Sequence, residues 1–317
     1  MKDRWGREID YLRLSVTPLC NLHCLYCRPE KETVAAPQGL SFEEMHRVLD
    51  CFCELGIRKI KITGGEPLLK EGIDDFLDSL TASHQFRSVT LTTNGSFMRE
   101  HWPALSRLDS INVSLDSLDA GCYRRMTRGG DLGAVWEGIR TALDAGYRGL
   151  KVNSVLLGGI NDAEILTLAE LARKYPLSVR FIELMPMGEG SAFRRVPPEI
   201  VFDVIRKAYP GCRWTERHGN GPARYLEIPG FLGDIGFIDS VSHKSCAACN
   251  RIRMDAAGCI FPCLESSAHY SVRPYLEGRI PRAQFLEEIK EVIYHKPKEN
   301  HFAQQALKKR NMNQIGG

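Results

Sequence analysis

The chain has 317 residues, 43% of them hydrophobic and 26% charged, with 42 basic against 39 acidic side chains and a formal net charge of +3. That length suits one large α/β domain or a domain with an appended subdomain, and the near-balanced charge excludes a nucleic-acid binder driven by bulk electrostatics. No apolar run approaches the ~20 residues that span a bilayer, and the opening MKDRWGREIDYLRL has no secretory core, so a cytoplasmic protein without membrane or nucleic-acid partners is expected.

In chain order, β-rich runs begin at Tyr11 (YLRLSVT), Lys59 (KIKIT), Ser88 (SVTLTT), Ser110 (SINVSL), Leu150 (LKVNSVLL) and Ser178 (SVRFIEL), with helical patterns between them. SFEE at Ser41 reads as a capping box, in which Ser41 caps and Glu44 reaches back. The run from Ala163 places Ile165, Leu168, Ala169 and Ala172 on one helical face. Six strand–helix pairs predict parallel strands joined by right-handed crossovers. Six are too few for the eight of a closed barrel, which leaves an open partial barrel or a doubly wound sheet. In both, functional groups gather at the carboxyl ends of strands, where SVTPLC, ITGGEP, TTNG, NVSLD and ELMPMG stand. Past about Ser191 the alternation fails. A short helix pattern, hairpin-like segments at GPARYLEI and GDIGFI, the cluster CAACNRIRMDAAGCIFPC and the helix PRAQFLEEIKEVI lead to the tail NHFAQQALKKRNMNQIGG. The expected organisation is a barrel over residues 1–190 and a smaller α+β region, residues 191–317, packed on it.

Eleven cysteines are many for a reducing compartment, where clustered thiols bind metal or do chemistry more often than they pair. Cys20, Cys24 and Cys27 follow the first strand as C-x3-C-x2-C. They could form a zinc loop completed by His23 or a distant ligand. They also suit three irons of a 4Fe-4S cluster, which would leave one iron open to a small molecule. Cys246, Cys249 and Cys263 give C-x2-C-x13-C, and with Cys259 the same segment reads as a four-cysteine zinc site.

C-x3-C-x2-C with an aromatic, Tyr26, before its last cysteine resembles the radical S-adenosylmethionine (SAM) superfamily, and GGEP, Ser114 in NVSLD and Met185 in FIELM follow in that superfamily's order. Over nearly the whole chain the closest resemblance is to the molybdenum cofactor biosynthesis protein A family, the GTP 3′,8-cyclases. It rests on TGGEP, TTNG, INVSLDSLD, KVN, RFIELM-x2-GEGS, GPA, C-x2-CNR-x-R and the terminal IGG. The resemblance implies a partial (β/α)6 TIM-type barrel closed by the C-terminal region, with two 4Fe-4S clusters facing each other across a cavity. Cys20, Cys24 and Cys27 would hold the first, and Cys246, Cys249 and Cys263 the second. SAM would meet Tyr26, Gly65, Ser114 and Met185. GTP would meet Arg13, Lys61, Thr92, Lys151, Arg180, Arg251, Ile252 and Arg253.

Arg13, Lys61, Gly316 and Gly317 would act in catalysis. The implied reaction abstracts the 3′ hydrogen of GTP and joins that carbon to C8, giving 3′,8-cyclo-7,8-dihydro-GTP with 5′-deoxyadenosine and methionine. The implied partners are an external one-electron reductant such as flavodoxin or ferredoxin, the downstream cyclic pyranopterin monophosphate synthase, and a second copy in a homodimer. Cys259, Cys51, Cys53, Cys122 and Cys212 would be ordinary buried thiols. Two positions depart from the family. Lys61 stands where arginine is usual and loses the planar fork, and CRPEK lacks the usual apolar residue before proline. Another radical SAM enzyme of the peptide-maturase type and a non-enzymatic iron–sulfur carrier remain as alternatives.

Overall fold

The computed structural model describes residues 1–29, 39–215 and 221–302. Six strands, β1 (Tyr11–Ser15), β2 (Lys59–Thr63), β3 (Ser88–Thr93), β4 (Ser110–Ser114), β5 (Leu150–Val155) and β6 (Ser178–Ile182), alternate with α1 (Phe42–Glu54), α2 (Ile73–Ala82), α3 (Trp102–Leu105), α4 (Ala120–Thr127), α5 (Leu132–Asp144) and α6 (Ile165–Lys174). After them come α7 (Pro198–Ala208), β7 (Arg213–Thr215), β8 (Arg224–Glu227), β9 (Ile235–Ile238), β10 (Arg251–Met254), β11 (Cys259–Phe261), β12 (Tyr270–Ser271), α8 (Arg273–Leu276) and α9 (Arg282–Tyr294). The capping box forms as expected: Glu44 N donates to Ser41 Oγ at 3.1 Å and Ser41 N to Glu44 Oε2 at 2.8 Å, worth about 1 kcal/mol to the start of α1.

All twelve strands lie in one sheet, ordered β12-β11-β10-β1-β2-β3-β4-β5-β6-β9-β8-β7. The C-terminal residues therefore do more than pack on a barrel; they lengthen its sheet at both edges. β10 joins β1 in parallel, with Arg253 beside Arg13, and β9 joins β6 in parallel, with Gly236 beside Arg180. The ladder stays open, with β12 and β7 as its ends, so the architecture is a partial barrel that the C-terminal strands extend without closing.

Period-two alternation gives each barrel strand two different faces. Leu12, Leu14, Ile60, Ile62, Leu91, Val113, Val152, Val179 and Ile252 are buried in one hydrophobic core with Val48, Phe52, Leu77, Ile139 and Leu168 from the helices. Each such aliphatic contributes about 1.5–3 kcal/mol on removal from water. The intervening positions carry Arg13, Lys61, Thr92, Asn112, Asn153, Arg180 and Arg253. A sheet that is apolar outside and polar inside has the pattern of a barrel enclosing a hydrated or charged ligand rather than a packed interior.

Candidate active site

The inner strand faces surround a cavity of about 340 Å³, lined by strands from β10 at one side of the parallel run to β9 at the other. All six cysteines of the two triads reach it; Cys259 does not. The triads lie at opposite ends of the strands. Residues 20–27 follow the carboxyl end of β1, whereas Cys249 precedes the amino end of β10 and Cys263 follows β11, which runs antiparallel to it.

At the carboxyl end, neighbouring loops lock together. Gly65 N donates to Thr17 O and Glu66 N to Leu19 O, both at 2.7 Å. A Cβ on Gly65 would stand 2.1 Å from Leu19 O, and one on Gly64 2.9 Å from Thr17 O. These glycines therefore serve first to seat the GGEP turn against the cysteine loop, a demand beyond the approach to a ligand that the sequence suggested. Glu66 is fully buried and accepts from Thr93 Oγ1 (2.8 Å), Leu68 N (3.1 Å) and Asn94 N (2.6 Å). Burial pushes its carboxyl up to about 7 against these donors. The Asn94 side chain reaches back to Asn21 Oδ1 at 2.7 Å. Tyr26 donates to Asp116 Oδ2 at 2.7 Å, and the other Asp116 oxygen accepts from Val155 N at 2.8 Å; burial raises this carboxyl to about 6.

The thiols of Cys20 and Cys24 are raised, mainly by burial. Leu22 N points at the Cys20 sulfur at 3.4 Å. Thiols that the protein itself keeps neutral, with an N–H donor aimed at sulfur, fit a centre whose own metal charge ionises them. Among the described residues no three Cys, His, Asp or Glu side chains converge as ligands of a single ion. A cubane instead takes one thiolate at each of three corners, and three cysteines spread around one end of a cavity suit that donor set. At the second triad, burial raises the Cys249 thiol, but Arg251, Lys296 and the Arg251 N–H outweigh it and bring it to about 7. Cys246 is raised by burial, opposed by Asn300.

Between the triads lies a group of cations. Burial and then Arg180, Arg13, Lys151 and Arg251 hold Lys61 well below the usual lysine range. Burial takes Arg13 down to about 10 and Lys151 to about 8. Arg253 is lowered by burial, Arg13 and Arg251. Arg180 donates to Asn153 Oδ1 at 2.8 Å and to Asn112 Oδ1, and Gly236 makes room for it, since a Cβ there would stand 2.7 Å from Arg180 Cγ. Like charges gathered in a half-buried cavity favour a polyanionic ligand.

Two family models match: the radical SAM superfamily over residues 14–172 and Molybdenum Cofactor Synthesis C over residues 177–302. The GTP 3′,8-cyclase of Pelotomaculum thermopropionicum is 39% identical over 325 residues, covering both chains completely. That of Petrotoga mobilis is 37% identical over 336 residues, again with complete coverage. The chain belongs to the GTP 3′,8-cyclase family. Among solved structures, Streptococcus suis SuiB bound to precursor peptide SuiA has a TM-score of 0.62 at 14% identity, covering 92% of this chain and 66% of that one. Histidine-tagged anSMEcpe with bound AdoMet has a TM-score of 0.58 at 11% identity, covering 95% and 88%. These two likenesses concern the fold alone.

Of the residues singled out from sequence, Arg13, Tyr26, Lys61, Gly65, Thr92, Ser114, Arg180, Met185, Arg251 and Arg253 line the cavity with the six cysteines. Ile252 does not; its side chain is fully buried in the core, on the opposite strand face from Arg251 and Arg253. Lys151 stands outside the lining but within reach of the cation group. Gly316 and Gly317 lie outside the described residues. Of the thiols expected to be ordinary and buried, Cys51 and Cys122 are buried, while Cys53, Cys212 and Cys259 are only half-buried. Sequence reasoning passed over Glu66 as a hub, Asp116, Asn112, Asn153, Lys296 and Asn300. The strand asparagines had a signal: polar residues alternating with apolar ones in NVS and KVN. Lys296 and Asn300 lie in a segment without periodicity and had none.

Proposed function

We infer that this chain is a radical SAM GTP 3′,8-cyclase. It converts GTP to 3′,8-cyclo-7,8-dihydro-GTP with reductive cleavage of SAM to 5′-deoxyadenosine and methionine, the first step of molybdenum cofactor biosynthesis. Full-length identity of 36–39% to GTP 3′,8-cyclases carries this reading. When bound, a first cluster with SAM would supply one-electron cleavage chemistry, and a second cluster would supply a further iron–sulfur centre for the substrate.

The chain's own residues bind and orient. Cys20, Cys24 and Cys27 hold the first cluster, and Cys246, Cys249 and Cys263 the second; the opening of all six on one cavity supports this division. Tyr26, Gly65, Ser114 and Met185 seat SAM at the carboxyl ends of the strands. Arg13, Lys61, Thr92, Lys151, Arg180, Arg251 and Arg253 receive GTP, with the triphosphate neutralising charges that otherwise repel one another; Ile252 contributes through its backbone. Holding both substrates in one cavity replaces a bimolecular encounter with a fixed geometry. Residues 1–190 carry the first cluster and SAM, residues 191–317 the second cluster. Gly316 and Gly317 complete the GTP site. An external one-electron carrier of the flavodoxin or ferredoxin class would supply the electron, and the cyclic pyranopterin monophosphate synthase would consume the product. The decisive experiment is anaerobic incubation with SAM, GTP and reductant. Formation of 5′-deoxyadenosine together with a mass-neutral rearrangement of GTP is expected, and 5′-deoxyadenosine without any GTP isomer would refute the assignment.

A further inference from the structure

Behind the second triad stand three buried side chains from opposite ends of the chain. Lys296, 2% exposed, donates from Nζ to Arg251 O at 2.7 Å and to Pro262 O. Arg251 lies two residues after Cys249, and Pro262 directly precedes Cys263. One ammonium thus ties together the two segments that carry these cysteines. Asn300, 6% exposed, donates from Nδ2 to the Cys246 sulfur at 3.4 Å. Arg7 donates to Cys246 O at 2.9 Å, to Lys298 O at 3.0 Å and to Pro297 O at 2.7 Å, and pairs with Asp3 at 2.6 Å. Trp5 Nε1 donates to Lys296 O at 2.9 Å. The N-terminal segment therefore fixes residues 296–298, which in turn fix the triad.

A buried ammonium is costly unless negative groups face it. Two carbonyl dipoles meet part of that need. Cys249 and Cys263, carried by the two segments whose carbonyls Lys296 bonds, would supply more as thiolate ligands of a cluster. We propose that Lys296 and Asn300 are positioning residues for the second cluster: Lys296 fixes the spacing of Cys249 and Cys263, and its charge, with the Asn300 N–H on the Cys246 sulfur, raises that cluster's reduction potential. The proposal rests on the two-cluster reading above. Its physical basis is that reduction adds negative charge to the cluster, so a nearby cation and N–H donors to sulfur stabilise the reduced form.

The test uses the full chain, reconstituted anaerobically, with iron content and potentiometric titration followed by paramagnetic resonance. Wild type is expected to carry iron for two clusters. In Lys296→Met the second cluster is expected to titrate at a more negative potential and to be lost faster to a chelator, while the first cluster is unchanged. Lys296→Arg, which keeps the charge, should recover most of the potential. Asn300→Leu should shift the second cluster in the same direction by a smaller amount, and it decides the matter if Lys296→Met does not fold. Wild type holding iron for one cluster and a zinc ion would overturn the two-cluster reading and this proposal together. Two clusters in wild type, with identical potentials and retention in Lys296→Met and Asn300→Leu, would overturn the proposal alone.

Discussion

The two cysteine triads reach one cavity by different routes. The first is a single loop of residues 20–27, and its supports come from the loops after the next three strands: Thr17 and Leu19 carbonyls hold the GGEP turn after β2, Asn94 after β3 reaches Asn21, and Asp116 after β4 accepts from Tyr26. The second is assembled from Arg7, residues 246–249, Cys263 and residues 296–300, which meet only when the whole chain has folded. One end depends on backbone fit and the other on buried cations. A short motif can announce the first kind of site; the second is set by tertiary structure.

The sharpest break in this comparison is Cys263→Ser. On the two-cluster reading proposed above, it should abolish cyclisation and remove about half of the iron while the first cluster stays, and Cys259→Ser should be nearly silent because Cys259 does not reach the cavity. Iron analysis with product assay decides, and the reverse pattern would move the ligand to Cys259. Next in size is Gly65→Ala, whose Cβ meets a backbone carbonyl that cannot swing aside. It should cost about 1–3 kcal/mol of stability and weaken the first cluster and SAM binding, leaving the iron of the second. Calorimetry and SAM titration would register it, and unchanged SAM affinity would show that the turn can shift.

Lys61→Met should act on neither triad. Removing a desolvated charge from among other cations should raise the melting temperature of the nucleotide-free protein. GTP affinity should fall roughly ten- to a hundredfold, the worth of a charge-assisted hydrogen bond of ~1.5–3 kcal/mol. A weaker fold with unchanged GTP affinity would remove Lys61 from the nucleotide site. The smallest effect is on pH dependence. Lys151 is held at about 8 in the free protein, and a bound triphosphate would raise it. The attraction is then fully present below about 8 and is lost as pH rises through the higher bound-state value. Calorimetry in buffers of different ionisation heat at about pH 8.5 should reveal proton uptake with GTP, and no uptake there would separate Lys151 from the nucleotide.

The strands were legible because period-two alternation is a local signal: KIKIT and SVTLTT became β2 and β3 as read. The Ser41–Glu44 capping box was legible for the same reason. The first triad was legible from its spacing. The sheet order was not, because the pairing of β10 with β1 joins Arg251 to Tyr11 across most of the chain and nothing local encodes it. The same distance hid Lys296. A lysine after a polar helix looks like a solvated charge, and only the carbonyls of Arg251 and Pro262 brought to it by folding make it buried. The outward direction of the Ile252 side chain was legible too, since its neighbours Arg251 and Arg253 already claim the inner face.

The order of the sheet also bears on how the protein is made. β1 and β6 are edge strands until β10 and β9 arrive from the C-terminal third. At synthesis rates of ~5–20 residues per second, the outer edge of β1 waits roughly 10–50 s for its partner on the ribosome. During that interval it presents unpaired backbone groups able to recruit another nascent chain. Ribosome-bound chaperones are the natural guard for such an edge, and a polypeptide stopped after residue 190 would keep both edges bare and accumulate as aggregate.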